Sequence, residues 1–157
     1  DIPYGAKFFE EDGMFCLFGK SKTEGEMIEL FNSNNHQKIS SVKGIGGLEE
    51  KSIFKMGENI AFGTRTNIYI LNKTSLETIR KIDIEGKMWS MIPIKNEDFL
   101  YFDCDSQKFI VLGKDANYAK TKEFTLGNDF NHRLFDLGNG KIVGDFRGRN
   151  LVEIYNY

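Results

Sequence analysis

The sequence predicts an all-β protein built from a unit of four antiparallel strands that is repeated along the chain. Similar six-residue apolar segments, MIELFN, NIYILN, KFIVLG and LVEIYN, start at residues 27, 67, 108 and 151, so they lie 40, 41 and 43 residues apart. Phe is abundant, with 14 copies among 157 residues, and aromatic rings pack well on pleated sheets. Helical periodicity is absent almost everywhere, which also favours strands.

Each recurring segment is predicted to be the third strand of its unit. A shorter apolar run and a polar turn precede it, as in IAFGTRT and FLYFDCDSQ, and this pattern indicates a β-hairpin. A first strand and a tight turn lie further upstream in KFFEEDG, SIFKMGEN, SMIPIKNED and RLFDLGNG. Gly13 and Gly57 accept the positive φ angles that such turns require. In the first three units a more polar fourth strand follows: HQKISSVKG, LETIRKIDIEG and YAKTKEFTLGN.

One segment, residues 75–82, also permits a helix. Its apolar residues Leu76, Ile79 and Ile82 recur every third position, which suits one helical face. Its β-branched content and its place in the repeat favour a strand. We therefore expect the fourth strand of the second unit in this segment.

Four-stranded units with a period of about 40–45 residues are typical of β-propeller blades. A lone sheet with two apolar faces cannot bury them, whereas blades stacked around an axis cover both. The predicted blades span residues 5–44, 45–86, 87–128 and 129–157. The fourth lacks its outer strand, so we expect about four blades, the last incomplete, within a larger propeller or a ring completed by a second chain. A self-contained four-bladed propeller is the alternative.

The last unit, LGNGKIVGDFRGRNLVEIYN, resembles the inner half of a WD-repeat blade. It has an apolar strand, a polar turn, and an apolar strand that ends in an aromatic residue followed by Asn. The resemblance extends over nearly the whole chain as divergent blades. No Trp-Asp pair ends a third strand, where Leu71-Asn72 or Tyr155-Asn156 stands instead, and no Gly-His pair precedes a first strand. The resemblance implies a non-enzymatic scaffold or adaptor for protein–protein interaction.

In the WD-repeat family, one face carries the turns between second and third strands and the connectors between blades, and partners bind there. Position assigns six candidate partner-binding residues to this face: Arg65, Trp89, Asp105, His132, Arg147 and Arg149. Arginine pairs well with carboxylate and phosphate, and three of the five arginines fall in the last 25 residues. The predicted ligand is therefore a protein or an acidic or phosphorylated peptide. The alternative is that the arginines are solvated turn residues and Trp89 packs in the core between blades.

Patterns for catalysis or metal binding are weak. The only histidines, His36 and His132, fall in predicted polar linkers. The DCD segment at residues 103–105 lacks the later ligands of a calcium loop and indicates a hairpin turn. GIGG at residues 44–47 enters a strand, which indicates a connector rather than a phosphate loop. We expect no enzyme, cofactor or metal. The alternative is a propeller enzyme or small-ligand binder that uses the axial channel, which needs acidic or His residues that converge there from different blades. Asp103 and Asp145 occupy equivalent positions, but Thr64 and Gly19-Lys20 at those positions in the other units break the pattern.

Composition narrows the partners and the compartment. A net charge of −2 and a pI near 5.8 disfavour nucleic-acid binding, which needs a basic surface. No apolar run approaches the ~18 residues that would span a bilayer, and no signal peptide is recognisable, so no membrane association is expected. Cys16 and Cys104 lack metal-ligand spacing, and we expect reduced, mostly buried thiols in a cytoplasmic or nuclear protein.

Overall fold

In the computed structural model, 64% of the chain is β-strand, and a short 3-10 helix is formed by Lys95–Glu97. The structure describes residues 2–9, 12–23, 25–45, 48–125, 130–138, 141–146 and 151–156, and some strand residues only by their backbone. The strands form antiparallel sheets whose members are consecutive in sequence. The chain divides into two compact units, Asp1–Lys81 and Ile82–Tyr157.

In every sheet, strands that are consecutive in the sequence are neighbours. The first sheet contains β1 (Ile2–Phe9), β2 (Met14–Ser21), β3 (Gly25–Asn32) and β4 (Lys38–Lys43). The second contains β5 (Leu48–Met56), β6 (Asn59–Thr64), β7 (Asn67–Asn72) and β8 (Thr78–Asp83). The third contains β9 (Met88–Pro93), β10 (Phe99–Asp103), β11 (Lys108–Gly113) and β12 (Ala119–Phe124). The last contains β13 (Phe130–Gly138), β14 (Lys141–Phe146) and β15 (Leu151–Asn156).

The prediction of four-stranded antiparallel units followed by a three-stranded one is confirmed. The strand predicted within residues 75–82 is confirmed as β8. The predicted start of the first strand, after Tyr4, is wrong, because β1 begins at Ile2. Pro3 and Gly5 argue against a strand, but β1 pairs only with β2, and a register irregularity falls between these two residues. An edge strand tolerates proline because the missing N–H lies on its unpaired side.

The core of the first unit lies between the first and second sheets. Each sheet contributes side chains from alternate positions of its two middle strands. We call the core-facing side of the first sheet its back face and the side of the second sheet that meets it the front face. The buried members from the middle strands are Cys16, Phe18, Ile28 and Leu30 of the back face of the first sheet and Ile60, Phe62 and Leu71 of the second. Phe9, Ile45, Ile53 and Leu76 add to the same core from β1, the connector after β4, β5 and the turn after β7. Sheets pack about 10 Å apart in this way, and each buried side chain of this size stabilises the fold by roughly 1.5–3 kcal/mol.

The turn between β7 and β8 is organised by Asn72. Its Oδ1 accepts hydrogen bonds from the N–H groups of Thr74 and Ser75, both at 2.9 Å. Its carbonyl accepts the N–H of Leu76 at 2.9 Å, and Leu76 has a left-handed φ of 58°. Asn32 makes the same set of contacts in the first sheet. The repeat in the sequence therefore extends to the hydrogen bonds of the turns.

Replacing Asn72 with Ala is expected to lower the free energy of unfolding by about 1–2 kcal/mol, because two N–H groups lose their acceptor at the turn. Urea unfolding followed by circular dichroism measures the change. Thr74→Ala is the matched control, since Thr74 is exposed in the same turn and contributes only its backbone to these bonds. Equal stability of the two variants would contradict the assigned role of Asn72.

A cluster of charged side chains links the two sheets of the first unit. Asp12 forms ion pairs with Lys55 at 2.7 Å and with Lys73 at 3.0 Å, and Lys73 also pairs with Glu58 at 3.1 Å. Hydrogen bonds from Lys55 and Lys73 lower the pKa of Asp12, and the bond to Asp12 raises the pKa of Lys73. Lys73 is 8% exposed, so its charge is held largely out of water among these carboxylates. Asp12 precedes β2 and Lys73 follows β7, so the cluster joins turns of neighbouring sheets.

Candidate partner-binding site

Asp103 anchors the turn between β10 and β11 in the second unit. It is 4% exposed and ends β10. Its Oδ1 accepts hydrogen bonds from the N–H groups of Lys87 at 2.9 Å and Asp105 at 3.1 Å. Its Oδ2 accepts the N–H of Ser106 at 3.1 Å and the Ser106 hydroxyl. One carboxylate therefore ties the connector before β9 to the hairpin turn after β10.

The protonation of Asp103 is set by two opposing effects. Burial alone raises its pKa, because a charged group loses hydration. The hydrogen bonds from Ser106 and from the backbone of Lys87 and Asp105 favour the carboxylate and lower the pKa below its ordinary value. Asp103 is thus a charged group whose oxygens are already engaged by the turn.

Gly86 lies directly against this carboxylate. Its φ is +76°, and a Cβ added there would overlap the carboxylate of Asp103. The connector before β9 can therefore approach Asp103 only with glycine at this position. The Lys87 carbonyl accepts the N–H of Cys104 at 2.8 Å, which closes the connector onto the turn a second time.

Trp89 projects from a β-bulge in β9. Phe102 pairs with Ser90 and Asp103 pairs with Met88, so Trp89 is the extra residue between two ladder pairs. Its neighbours Met88 and Ser90 are 1% and 2% exposed, whereas Trp89 is 36% exposed. A bulge re-aims a side chain in this way. Trp89 therefore lies in a strand rather than in the predicted connector, and its exposure contradicts packing in the core.

Charged side chains flank this bulge. Lys87 and Asp105 form an ion pair at 3.4 Å and are both more than half exposed. The prediction that residues 103–105 enter a hairpin turn is confirmed, because β10 ends at Asp103 and β11 begins at Lys108. Asp105 lies on that turn, so it and Trp89 belong to the same end of the third sheet. We call Lys87, Trp89 and Asp105 the bulge site.

Arg65 belongs to the first unit and occupies the corresponding turn of the second sheet. It is exposed and follows Thr64, which ends β6 and is 2% exposed. The Thr64 hydroxyl accepts the N–H of Asn67 at 3.1 Å and donates to the Asn67 carbonyl at 3.2 Å. Thr64 thus closes its turn as Asp103 closes the turn of the third sheet, with a weaker set of bonds.

Three further residues were predicted to belong to the partner-binding face: His132, Arg147 and Arg149. His132 was predicted in a connector, and this is wrong, because it lies within β13. The strand begins at Phe130, so the connector before it is shorter than the polar sequence suggests. Arg147 and Arg149 lie outside the described residues. Their assignment to a partner-binding face, like that of Arg65, stays a prediction.

The described residues contain no group of three His, Cys, Asp or Glu side chains that could hold a metal ion. Gly44 and Ile45 lead from β4 towards β5, so the residues after them enter a strand rather than a helix. Cys16 is buried, Cys104 is half-buried, and neither forms a disulfide. Within the described part of the chain, no helix is long and apolar enough to cross a membrane.

Sequence reasoning missed the contribution of Gly86 to the bulge site. A signal was present, because Gly44 and Gly86 both stand between a fourth strand and the next first strand and have φ angles of 74° and 76°. Sequence reasoning also missed the bulge at Trp89, because no feature of the local sequence indicates it. An extra residue in a strand changes the pairing but leaves the local composition unaltered.

Comparison with known proteins identifies the fold and no family. No family model and no curated protein matches the chain. Among solved structures it is similar to BamB from Moraxella catarrhalis, with a TM-score of 0.65, 10% identity, and 99% of this chain and 54% of that one covered. It is similar to Hsv2p of Kluyveromyces lactis, with a TM-score of 0.61, 12% identity, and coverage of 99% and 46%. A protein of unknown function from Bacteroides caccae gives 0.60, 16%, and coverage of 91% and 57%.

BamB and Hsv2p are propeller-like proteins, and the four-stranded antiparallel sheets of this chain correspond to blades. The fold is that of a β-propeller. The predicted fold class is thereby confirmed, whereas membership of the WD-repeat family stays a prediction. The chain spans about half the length of the solved structures it matches.

Proposed function

We propose that the protein is a non-enzymatic interaction module that binds a protein or peptide partner, with the bulge site of the second unit as the centre of contact. In this proposal Trp89 is the main contact, and Lys87 and Asp105 orient the partner. An acidic or phosphorylated peptide would be favoured by three arginines, Arg65, Arg147 and Arg149, because arginine pairs well with carboxylate and phosphate groups.

The exposure of Trp89 is the observation that carries the proposal. Tryptophan is among the residue types most enriched at binding hot spots, and its large surface gains free energy when a partner removes it from water. The strand on either side of it is buried, and the adjoining turn is fixed by the bonds to Asp103. A side chain held on a rigid base loses less conformational entropy on binding.

The absence of enzymatic activity is part of the proposal. Asp103 is the buried carboxylate that a catalytic role would use, but its two oxygens accept four hydrogen bonds from the turn. Such a group has little remaining capacity to exchange a proton with a substrate. The free thiols support a cytoplasmic or nuclear location, where cysteines remain reduced.

The test is to select peptides from a displayed random library on the whole chain and to measure their binding to variants. Trp89 is the only tryptophan, so a bound peptide is expected to shift its emission to the blue. Trp89→Ala is expected to weaken binding at least about 30-fold, equivalent to about 2 kcal/mol at a hot spot. Calorimetry measures this, because the variant has no tryptophan to observe.

The matched control is Ile79→Ala, which removes another exposed apolar side chain, one that is 56% exposed on β8. It is expected to leave affinity unchanged. Charge reversal of Arg147 and Arg149 is expected to weaken acidic peptides selectively. Peptides that bind Trp89→Ala as tightly as the wild type would remove the bulge site from the proposal.

A further inference from the structure

The two exposed side chains of β9 and the residue before it lie on one side of the strand. Lys87 and Trp89 are exposed, whereas Met88 and Ser90 are buried, so exposure alternates along the chain as it does in a strand with one covered side. The ammonium of Lys87 lies 3.4 Å from the carboxylate of Asp105. Two positions along a strand correspond to about 7 Å. One long side chain of a partner can therefore contact both the indole and Asp105.

Asp105 retains the capacity to accept hydrogen bonds. Its Oδ1 accepts the ammonium of Lys87, and within the described part of the chain its Oδ2 accepts no hydrogen bond. Both side chains of this ion pair are more than half exposed, and water and salt screen such a pair, so it contributes little stability. A cation of the partner can therefore bind Asp105 beside Lys87 or in its place.

A second carboxylate makes the potential at the bulge site negative. Asp103 accepts the N–H groups of Lys87 and Asp105 and is 4% exposed, so its charge lies close to both residues and largely out of water. The hydrogen bonds that lower the pKa of Asp103 keep it charged at neutral pH. A buried charge is screened less by salt than an exposed one. The two carboxylates therefore outweigh the single ammonium of Lys87, and the site favours a cation.

The pairing of an indole with a carboxylate suits a planar cation. Tryptophan is the aromatic residue that attracts cations most strongly. A guanidinium group stacks flat on an aromatic ring while its N–H groups donate in the plane to a carboxylate, whereas an ammonium is a point charge. An apolar side chain could cover Trp89, but it would remove Asp105 from water without giving it a partner, which is costly. The site is therefore best suited to arginine.

We propose that the bulge site binds an arginine side chain of the partner, with its guanidinium stacked on Trp89 and paired with Asp105. This inference rests on the proposed function, because it names the chemical group that the bulge site binds. The rest of the peptide can still be acidic, since the arginines that favour acidic groups are not part of the bulge site. Lys87 competes with the bound arginine for Asp105, so it limits the affinity.

N-acetyl-arginine amide at millimolar concentrations tests the site without a peptide partner. Trp89 is the only tryptophan, so its indole N–H gives one resonance in the nuclear magnetic resonance spectrum of the whole chain. The arginine derivative is expected to shift this resonance until the site is saturated. The citrulline derivative has the same shape without the charge, and it is expected to bind at least about 10-fold more weakly.

Two substitutions at the bulge site are expected to change the affinity for the arginine derivative in opposite directions. Asp105→Asn removes the paired charge and is expected to weaken binding about 5-fold. Lys87→Met removes the competing ammonium but keeps an unbranched side chain, and it is expected to strengthen binding about 2- to 5-fold. A general loss of structure would weaken binding in both variants. Asp115→Asn is the matched control, because Asp115 is an exposed carboxylate in the turn between β11 and β12, and it is expected to leave the affinity unchanged.

Peptides selected on the whole chain separate this inference from the proposed function. Peptides whose binding needs Trp89 are expected to contain an arginine, and replacing it with citrulline is expected to weaken them at least about 10-fold. Peptides that need Trp89 but tolerate citrulline would overturn the arginine inference and leave the proposed function intact. If no selected peptide needs Trp89, the proposed function fails, and the indole resonance alone decides the inference. Equal binding of the arginine and citrulline derivatives overturns it.

Discussion

Replacing Gly86 with Ala is expected to lower the free energy of unfolding of the second unit by about 3 kcal/mol or more. A left-handed backbone costs a residue with a Cβ roughly 1–2 kcal/mol. The added Cβ would overlap the carboxylate of Asp103, which cannot move aside without losing hydrogen bonds to Lys87 or Asp105. Urea unfolding followed by the emission of Trp89, which lies in the same unit, measures the loss.

Gly44→Ala is the matched control for this substitution. Gly44 has a φ of +74°, but among the described residues no atom outside its two chain neighbours lies within 4 Å of a Cβ added there. We expect only the backbone cost, about 1–2 kcal/mol, measured by circular dichroism because Gly44 lies in the first unit. The excess at Gly86 should disappear when Asp103 is also replaced by Ala, since the overlapping group is then gone. Equal losses at Gly44 and Gly86 in the wild-type background would contradict the contact.

Replacing Asp103 with Ala is expected to lower the free energy of unfolding by about 3 kcal/mol, because it removes the acceptor of four partly buried hydrogen bonds, three from backbone N–H groups and one from a hydroxyl. Thr64→Ala at the corresponding turn of the second sheet removes only two bonds, and we expect a loss near 1 kcal/mol. Thermal unfolding compares the two variants. If Asp103→Ala were no less stable than Thr64→Ala, the turn would not depend on the carboxylate.

The same carboxylate makes stability depend on pH. The pKa of Asp103 is lower in the folded protein, so its contribution is fully present above the ordinary value of 3.8 and is lost as the pH falls through the folded value. Asp12 has a lowered pKa as well and acts in the same direction. Asp103→Asn is expected to flatten the fall in stability below about pH 4.

The sequence was sufficient to predict the fold because the segments that recur in it are themselves β-strands. The spacing of segments such as NIYILN and KFIVLG reflects the third strand of each sheet, and apolar content along a strand depends on burial that every blade shares. The polar fourth strand was equally predictable, since β8 and β12 are largely exposed.

The candidate site was less predictable than the fold. The turn between the second and third strands is closed by a carboxylate in the third sheet and by a hydroxyl in the second. Asp103 and Thr64 both close a turn between second and third strands, and neither residue type alone indicates the other. The bulge at Trp89 and the strand position of His132 depend on pairing between strands, which local composition does not record.

The irregular register of the fourth strands affects how the protein behaves when it is concentrated. β4 shifts register between its pairings with Leu30 and Phe31, and β12 shifts between Val111 and Leu112. Both strands lie at the margin of their sheets and carry lysines. An edge strand with a register irregularity and several lysines is a poor template for pairing with a strand of another chain. These strands therefore oppose the growth of fibrils from the native fold.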